Sequence, residues 1–299
     1  MLKNALITFG FMALFAAIEF AFGLYRRPGV LTMRELGGSL VSLGNSLLIR
    51  GAFFGALTWA LGALLPSAEG ALAGVSFWLV FPLYLLFDEY VTYWVHRKSH
   101  EVPWLWRIHK PHHAPRNMNA AVTFRNNWLW LFMMPYAWLP AFAVWLGQPT
   151  VYMATVTFKT LLALLVHCEL RWDLHLQHNR FLRPVMWVLE RVISLPDTHH
   201  VHHGVGRYGN AMKNYGATLI VFDVLHGTVE IPHARQEGFG LPEGAPVEPW
   251  AEQIFWPLLR SNKEIAALRP PFDQASPDAA VAAARAVIRT ADGRAVVVS

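Results

Sequence analysis

The sequence predicts an all-α fold, an integral membrane helical bundle of about four to five spans with a cytoplasmic, histidine-rich helical cap. Three observations support this prediction. Of the 299 residues, 54% are hydrophobic and 15% are charged, whereas an average soluble domain has roughly 25% charged residues. Apolar runs of spanning length alternate with short basic loops. Finally, the histidines are concentrated in one part of the chain, since twelve of the fourteen lie between positions 96 and 203.

The first 70 residues of the chain contain two predicted spans. Residues 5–24 form an apolar run that is interrupted only by Glu19 and has no clear signal-peptidase site, so we interpret it as a retained helix. Arginines follow it at positions 26, 27 and 34, which indicates that this end is cytoplasmic. Residues 38–65 predict a second span that ends at Pro66.

Three further apolar runs follow, at 71–95, 128–146 and 150–167. The last two are separated by the turn "GQPT" and predict a helical hairpin. No spanning run remains after residue 168. Counting the spans places residues 96–126 and everything after 167 on the same side as the arginines at 26, 27 and 34. All basic clusters then share one face, which the positive-inside rule assigns to the cytoplasm.

We divide the chain into N-terminal membrane helices (1–70), a histidine-rich domain (71–235) and a C-terminal cytoplasmic tail (236–299). In the tail, "PPFDQ" interrupts the chain and residues 276–291 predict a short alanine-rich helix. The formal net charge is +5. The sequence contains no basic stripe with interleaved aromatic residues, so we do not expect nucleic acid as a partner. The single cysteine, Cys168, excludes an intrachain disulfide and a thiolate metal cage, so any metal must use histidine and carboxylate ligands.

The histidines fall into three boxes with short, regular spacings. The first is an H-x3-H pair at the end of the third span, and residues four apart share a helix face. The second, "HKPHH", and the third, within "HHVHH", have the same H-x-x-H-H spacing, whose positions also share a face. Neutral imidazole is a good ligand for iron, zinc and copper. Because eight imidazoles exceed the about four to six ligands of one transition ion, the spacing predicts a two-metal site. The boxes comprise His96 and His100; His109, His112 and His113; and His199, His202 and His203.

Four segments resemble the fatty acid hydroxylase / sterol desaturase superfamily over roughly residues 80–232. They are "DEYVTYWVHRKSH", "LWRIHKPHH", "HCEL" and "DTHHVHHGVGRYGNAMKNYGATLIVFDVLHGTVE". The third box and the tail that follows it are most similar to alkylglycerol monooxygenase-like members. The resemblance implies a histidine-rich di-iron centre on the cytosolic face of a helical membrane domain. It also implies O2-dependent hydroxylation or desaturation of a lipid.

The resemblance also implies the cofactors, the partners and the ligands. The cofactors would be two non-haem iron ions with a bridging oxygen, and O2 would be the co-substrate. Because no cytochrome b5-like domain is fused, the electrons would come from a separate cytochrome b5-like protein or a ferredoxin and its reductase. The substrate would be a lipid such as a fatty acyl chain, a sterol or an ether lipid. The implied ligands are the eight histidines of the three boxes together with His167, which matches a further family histidine.

Five other residues are candidates for additional ligands or for positioning groups. Metal-bound histidines usually donate their far N–H to a carboxylate or carbonyl, and carboxylates near membrane helix ends are often functional. His226 stands where the family has an aromatic residue, so we leave it out. "GVGRYG" formally matches a dinucleotide fingerprint, but it follows a histidine box instead of opening a βαβ unit. The five candidates are His175, His178, His200, Asp88 and Glu169.

Two other functions remain open at this point. One is a zinc-dependent membrane lipid hydrolase, which would need neither O2 nor a reductant. The other is a non-catalytic metal-binding membrane protein such as a transporter or a sensor. A transporter places its ligands near the bilayer midplane, whereas these histidines lie at helix ends and in loops.

Overall fold

The computed structural model describes residues 2–26, 33–242, 245 and 248–260, and these are mostly helical. The predicted helix at 276–291 and most of the C-terminal tail lie outside the described residues, as does Arg27. A two-stranded antiparallel pair, β1 (Gly204–Val205) and β2 (Gly238–Phe239), follows the third box. The helices are α1 (Leu2–Ala21), α2 (Met33–Leu64), α3 (Phe77–Glu101), α4 (Pro103–His113), α5 (Trp130–Met133), α6 (Pro135–Trp145), α7 (Pro149–His167), α8 (Trp172–His178), α9 (Arg183–Val192), α10 (Pro196–His203), α11 (Val221–His226) and α12 (Trp250–Phe255).

Within the described residues, two helices are long and apolar enough to cross a membrane. They are residues Gly37–Leu64 of α2 and the whole of α7, Pro149–His167. The apolar stretch Phe9–Ala21 of α1 is shorter. The predicted runs at 5–24 and 71–95 do form the long helices α1 and α3, although α3 begins only at Phe77. The number of spans therefore stays a prediction.

One predicted span needs correction. Residues 128–146 do not form a single helix, because the backbone of Met134 is extended (φ −82°, ψ 138°) and separates α5 from α6. Proline disfavours helical backbone in the residue before it, and Pro135 therefore begins a new helix. With 11 residues, α6 is about 17 Å long, well short of the ~30 Å hydrocarbon core. It still pairs with α7 across a turn at Gly147, whose φ is +84°.

The helices pack in pairs around small apolar clusters. Leu61 of α2 packs against Ala141 and Trp145 of α6, while Phe15 of α1 packs against Leu164 of α7. Large apolar side chains cover the outside of α2 and α3, for example Trp59, Leu64, Trp78 and Leu83. Apolar residues on the outer surface of a helical bundle are the pattern that lipid contact requires.

A buried ion cluster joins α3 to α7. The Lys159 ammonium lies 2.6 Å from carboxylate oxygens of both Asp88 and Glu89. The second Glu89 oxygen accepts hydrogen bonds of 3.0 Å from the backbone N–H groups of Thr218 and Leu219. Charges in an apolar interior are retained only when paired, so this cluster fixes α3, α7 and the loop after α10 relative to one another.

Two prolines determine where the box-bearing helices begin. Val102 is extended and Pro103 is the first residue of α4, while Leu195 is extended and Pro196 is the first residue of α10. Proline suits the first helical position because it lacks the N–H that would have no partner there. Both short helices therefore start abruptly, and α4 packs against α3 while α10 packs against α7. The three boxes are thereby brought to one end of the bundle.

Candidate metal centre

The first site is a five-histidine cluster formed by three helices. Each of its imidazoles offers one ring nitrogen, and these five atoms all lie within 4.8 Å of one another. All five side chains are buried. The members are His96 and His100 of α3, His109 and His113 of α4, and His202 of α10.

The second site is a four-histidine cluster directly beside the first. Its four ring nitrogens also lie within 4.8 Å of one another, and all four side chains are buried. The two clusters touch, since the rings of His113 and His203 stack with centroids 4.3 Å apart. The members of the second cluster are His112 of α4, His167 of α7, and His199 and His203 of α10.

Each H-x-x-H-H box is divided between the two clusters, and the division is exchanged between the boxes. On α4 the first and last histidines join the five-histidine cluster and His112 joins the other. On α10 the first and last join the four-histidine cluster and His202 joins the other. At 3.6 residues per turn, positions i and i+4 point about 40° apart, whereas i+3 and i+4 diverge by about 100°. One box therefore does not correspond to one cluster.

Hydrogen bonds set the tautomers of the two central histidines of the first cluster. The Nδ1 atom of His96 donates to the carbonyl of Tyr215 at 2.6 Å, and Nδ1 of His202 donates to the carbonyl of Lys213 at 2.7 Å. A carbonyl only accepts, so both protons are on Nδ1 and both Nε2 atoms present lone pairs. These Nε2 atoms lie 2.9 Å apart. Two facing lone pairs repel each other unless a cation lies between them, and the cluster therefore fits a metal ion.

The four-histidine cluster has the same arrangement. His167 donates from Nδ1 to the carbonyl of Ala163 at 2.7 Å, and its Nε2 lies 3.0 Å from Nε2 of His199 and 3.2 Å from Nε2 of His112. Nitrogens bound about 2.1 Å from one ion are about 3.0 Å apart at 90° and about 3.4 Å apart at the tetrahedral angle. The observed separations match ligands of a single ion.

Burial keeps the imidazoles neutral. In α4 and α10, burial lowers the pKa of His109, His113, His199, His202 and His203 well below the ordinary value for histidine, and neighbouring histidines lower it further. Neutral imidazole is the form that binds a metal. The site is therefore ready to bind cations without first losing protons.

Aromatic side chains enclose the five-histidine cluster. The indole of Trp130 stacks on His109 with centroids 4.2 Å apart, and Trp106 lies 5.4 Å from His113. Both indoles are buried. They restrict water around the nitrogens and hold the rings in one orientation.

Asp223 holds the segment that orients His96. Its carboxylate accepts hydrogen bonds from the N–H groups of Tyr215 (2.8 Å) and Gly216 (2.6 Å) and from the hydroxyl of Thr228 (2.7 Å). Since the Tyr215 carbonyl accepts from His96, Asp223 fixes the acceptor that sets the His96 tautomer. The sequence alone does not identify Asp223, because nothing in its spacing shows these partners.

Arg171 holds the first turn of α10, and the sequence analysis missed it. Its guanidinium contacts Asp197 at 2.7 Å and Asp173 at 3.1 Å. Asp173 also accepts from the N–H of Asp197 at 2.5 Å. The available sequence signal was a pair of opposite charges on either side of Trp172, shortly after the last apolar run.

The other histidine candidates lie outside both clusters. His200 is buried and packs edge-to-face on Phe239 at 5.2 Å. His175 and His178 are exposed on α8. His226, which the sequence analysis excluded, stacks on Tyr93 with centroids 5.0 Å apart.

Neither carboxylate candidate belongs to either histidine cluster. Asp88 pairs with Lys159 and accepts from the Thr92 hydroxyl at 3.2 Å. Glu169 is half-buried just beyond the end of α7. Their proposed role as partners of metal-bound histidines therefore rests on the sequence alone.

Comparison with known proteins agrees with this geometry. The profile of the fatty acid hydroxylase family matches residues 81–228, a segment that contains all nine clustered histidines. This half of the chain belongs to the fatty acid hydroxylase family. No solved structure gives a significant match to the chain.

Several characterised proteins align with the fatty acid hydroxylase segment. An alkylglycerol monooxygenase of Homo sapiens is 31% identical over 153 residues, covering 49% of this chain and 30% of the relative. That of Xenopus tropicalis is 30% identical over 167 residues, covering 56% and 33%. An ornithine lipid hydroxylase of Rhizobium tropici is 28% identical over 191 residues, covering 62% and 53%. The chain thus spans about a third of the alkylglycerol monooxygenases, and all three names describe oxidoreductases.

Proposed function

We propose that this protein is an integral membrane di-iron oxygenase that uses O2 and external electrons to hydroxylate or desaturate a C–H bond of a lipid. The observation that carries the proposal is the pair of adjacent, buried, all-imidazole clusters within a fatty acid hydroxylase segment. Nine neutral nitrogen donors suit two transition ions, and no thiolate competes for the site.

The donor number favours iron over zinc. Zinc in proteins is almost always bound by about four ligands, whereas one cluster offers five imidazoles. The N···N distances of 2.9 Å between His202 and His96 and between His96 and His109 favour ligand angles near 90° over tetrahedral ones. Bound iron would supply the activation of O2 and the oxidation of the C–H bond.

The protein residues hold and shield the reacting centre. The nine histidines would bind the ions, and the carbonyls of Tyr215, Lys213 and Ala163 would keep three of those imidazoles in the metal-binding tautomer. Trp106 and Trp130 restrict water beside the five-histidine cluster. Exclusion of water protects a strong oxidant from side reactions.

The electron balance requires a separate donor. Hydroxylation converts a C–H bond and O2, with two electrons and two protons, into an alcohol and one water. Desaturation removes two hydrogen atoms and, with the same two electrons and protons, yields a double bond and two waters. We expect a cytochrome b5-like protein or a ferredoxin with its reductase to supply these electrons.

The substrate class is a membrane lipid. The relatives are named for alkylglycerol, ornithine lipid and sterol substrates, and the described helices expose apolar surfaces that suit a bilayer. We therefore propose a fatty acyl chain, a sterol or an ether lipid. We further propose a multi-pass topology with the metal centre at the cytoplasmic face, as the basic loops indicate.

The test is reconstitution in lipid nanodiscs with iron, a chemical reductant and extracted membrane lipids, followed by lipid mass spectrometry. We expect products that have gained one oxygen atom or lost two hydrogen atoms, and none without O2 or without reductant. Hydrolysis products that form without O2 would indicate the zinc hydrolase instead. Metal-loaded protein that leaves every lipid unchanged would overturn the enzymatic proposal.

A further inference from the structure

Helix α9 exposes large apolar side chains that a helix of a soluble protein would bury. Met186 and Glu190 are its buried residues. Its outer side is apolar, with Val185, Trp187 and Val188 each more than half exposed. A surface helix normally buries its apolar stripe and exposes its charges. The outer face of α9 is therefore adapted to an apolar environment.

The buried carboxylate of α9 has three polar partners within the protein. Glu190 lies 2.8 Å from Nε2 of His233 and 2.5 Å from the guanidinium of Arg191, and it accepts from the amide of Gln177. The orientation of the helix is thus fixed by these polar contacts. The helix therefore cannot rotate to bury its exposed apolar side chains without breaking these contacts.

Arginines surround this apolar face. The guanidinium of Arg180 lies 4.8 Å from the ring centroid of Phe181, which is 75% exposed, and that of Arg191 lies 4.1 Å from the ring of Trp187. Arg183 is the first residue of the helix and is exposed. Aromatic and apolar side chains with arginines at their edge are typical of helices that lie in a membrane interface.

The apolar face also continues into the outer surface of the bundle. α9 contacts α11, and α11 contacts α3. α11 exposes Leu225, and the adjoining part of α3 exposes Leu83, Phe87 and Tyr90. Exposed apolar side chains are therefore found from α3 through α11 to the helix that connects α8 to the third box.

We propose that α9 lies in the plane of the bilayer surface, with Phe181, Val185 and Val188 among the acyl chains and its arginines at anionic lipid phosphates. This inference rests on the membrane location in the proposed function but not on its chemistry. α9 lies in the segment between His167 and His199, so docking on lipid would hold the four-histidine cluster at the level of the headgroups. A lipid substrate could then reach the site without leaving the bilayer.

The test places a fluorophore on α9 of the full-length protein. A bimane label is attached to Val188→Cys, and to Val185→Cys as a second position, in nanodiscs of phosphatidylglycerol and phosphatidylcholine. Cys168 is buried, so the wild-type protein serves as the labelling blank. Arg207→Cys, at an exposed position after α10, is the matched control. A thermal unfolding transition at the wild-type temperature shows that each variant is folded.

We expect brominated acyl chains to quench the label at 188, and iodide to quench it about fivefold less than the label at 207. Quenching by brominated lipid should weaken when phosphatidylglycerol is omitted, because arginines add attraction to anionic lipids. Iodide quenching equal to that at 207 would overturn the proposal. A label protected from both quenchers would show that a protein covers α9. Insensitivity to phosphatidylglycerol would overturn the assignment to anionic headgroups.

Discussion

The Nε2 atoms of His96 on α3 and His202 on α10 lie 2.9 Å apart, although 106 positions of sequence separate the two residues. Each residue donates its Nδ1 proton to a backbone carbonyl, so neither ring can donate to the other. This pair joins the first box to the third, and its facing lone pairs suit a cation between them. The pair therefore gives the most direct test of the metal centre.

His202→Ala should abolish activity and lower metal affinity by at least ~10-fold. Removing a group that only hydrogen-bonds to a metal ligand costs about 10–100-fold, and removing the ligand itself should cost at least as much. Elemental analysis of the purified variant measures the effect. His233→Ala is the control, because His233 is partly exposed, pairs with Glu190 and belongs to neither cluster. Full metal content in His202→Ala would contradict the assignment of the five-histidine cluster.

His200→Ala should keep both metal ions while losing stability. The residue is 1% exposed and packs on Phe239 outside the clusters, and truncating a large buried side chain to alanine costs about 2–5 kcal/mol. Thermal unfolding and metal stoichiometry separate the two effects. If His200→Ala lost metal as completely as His202→Ala, the ligand set of the third box would have to be redrawn around His200.

Asp223→Asn should weaken metal binding from a distance. The carboxylate accepts three hydrogen bonds, and a hydrogen bond to a charged group contributes about 1.5–3 kcal/mol. The neutral amide weakens these bonds and thereby loosens the Tyr215 carbonyl that orients His96. We expect a lower unfolding temperature and about 10-fold lower metal affinity, measured by competition with a chelator. Glu237→Gln, at an exposed carboxylate, should change neither quantity. Unaltered affinity in Asp223→Asn would show that this contact chain does not position His96.

Lys159→Met should destabilise the protein by about 3–5 kcal/mol, because Asp88 and Glu89 would lose their shared cation in an apolar interior. Thermal unfolding in detergent measures the loss. Combining Lys159→Met with Asp88→Asn should recover part of the stability, since one uncompensated charge is then removed. A double variant no more stable than Lys159→Met would argue against a charge effect.

The loops that carry the histidines should lie on the same, cytoplasmic side of the membrane. Arg116 and Arg235 are exposed, and substitution of either by cysteine provides a labelling site next to each half of the metal centre. Both should react with an impermeant maleimide in inside-out vesicles and neither in right-side-out vesicles. Labelling from opposite sides would contradict the two histidine clusters, because each cluster combines histidines of α4 with histidines of α10.

The sequence predicted which histidines cluster better than it predicted how they are arranged. The H-x3-H and H-x-x-H-H spacings identified eight of the nine clustered histidines, because helix periodicity is local. His167 came only from the family resemblance, since a single histidine at the end of a span has no spacing to mark it. The exchanged division of the two boxes depends on how α4 and α10 face each other, and that orientation is not encoded in either segment.

The long apolar helices were predicted less evenly. Hydropathy located α1, α2, α3 and α7, but it predicted one helix for residues 128–146. Hydropathy does not register that Pro135 disfavours helical backbone at Met134. Arg171 was missed for a related reason. Its partners Asp173 and Asp197 are polar residues whose roles appear only when α10 lies against the end of α7. Long-range hydrogen bonds of this kind leave no local pattern.

The exchanged division of the boxes has a consequence for how the protein would take up its ions. Because α4 and α10 each supply ligands to both clusters, an ion in one cluster fixes the same two helices that the other cluster needs. Binding of the first ion then carries most of the entropy cost of ordering these helices. The second ion binds helices that are already ordered, and it therefore binds more tightly. Titration should therefore give a sigmoidal loading curve. Under metal limitation, the population should consist mainly of empty and doubly loaded molecules, with few that carry one ion.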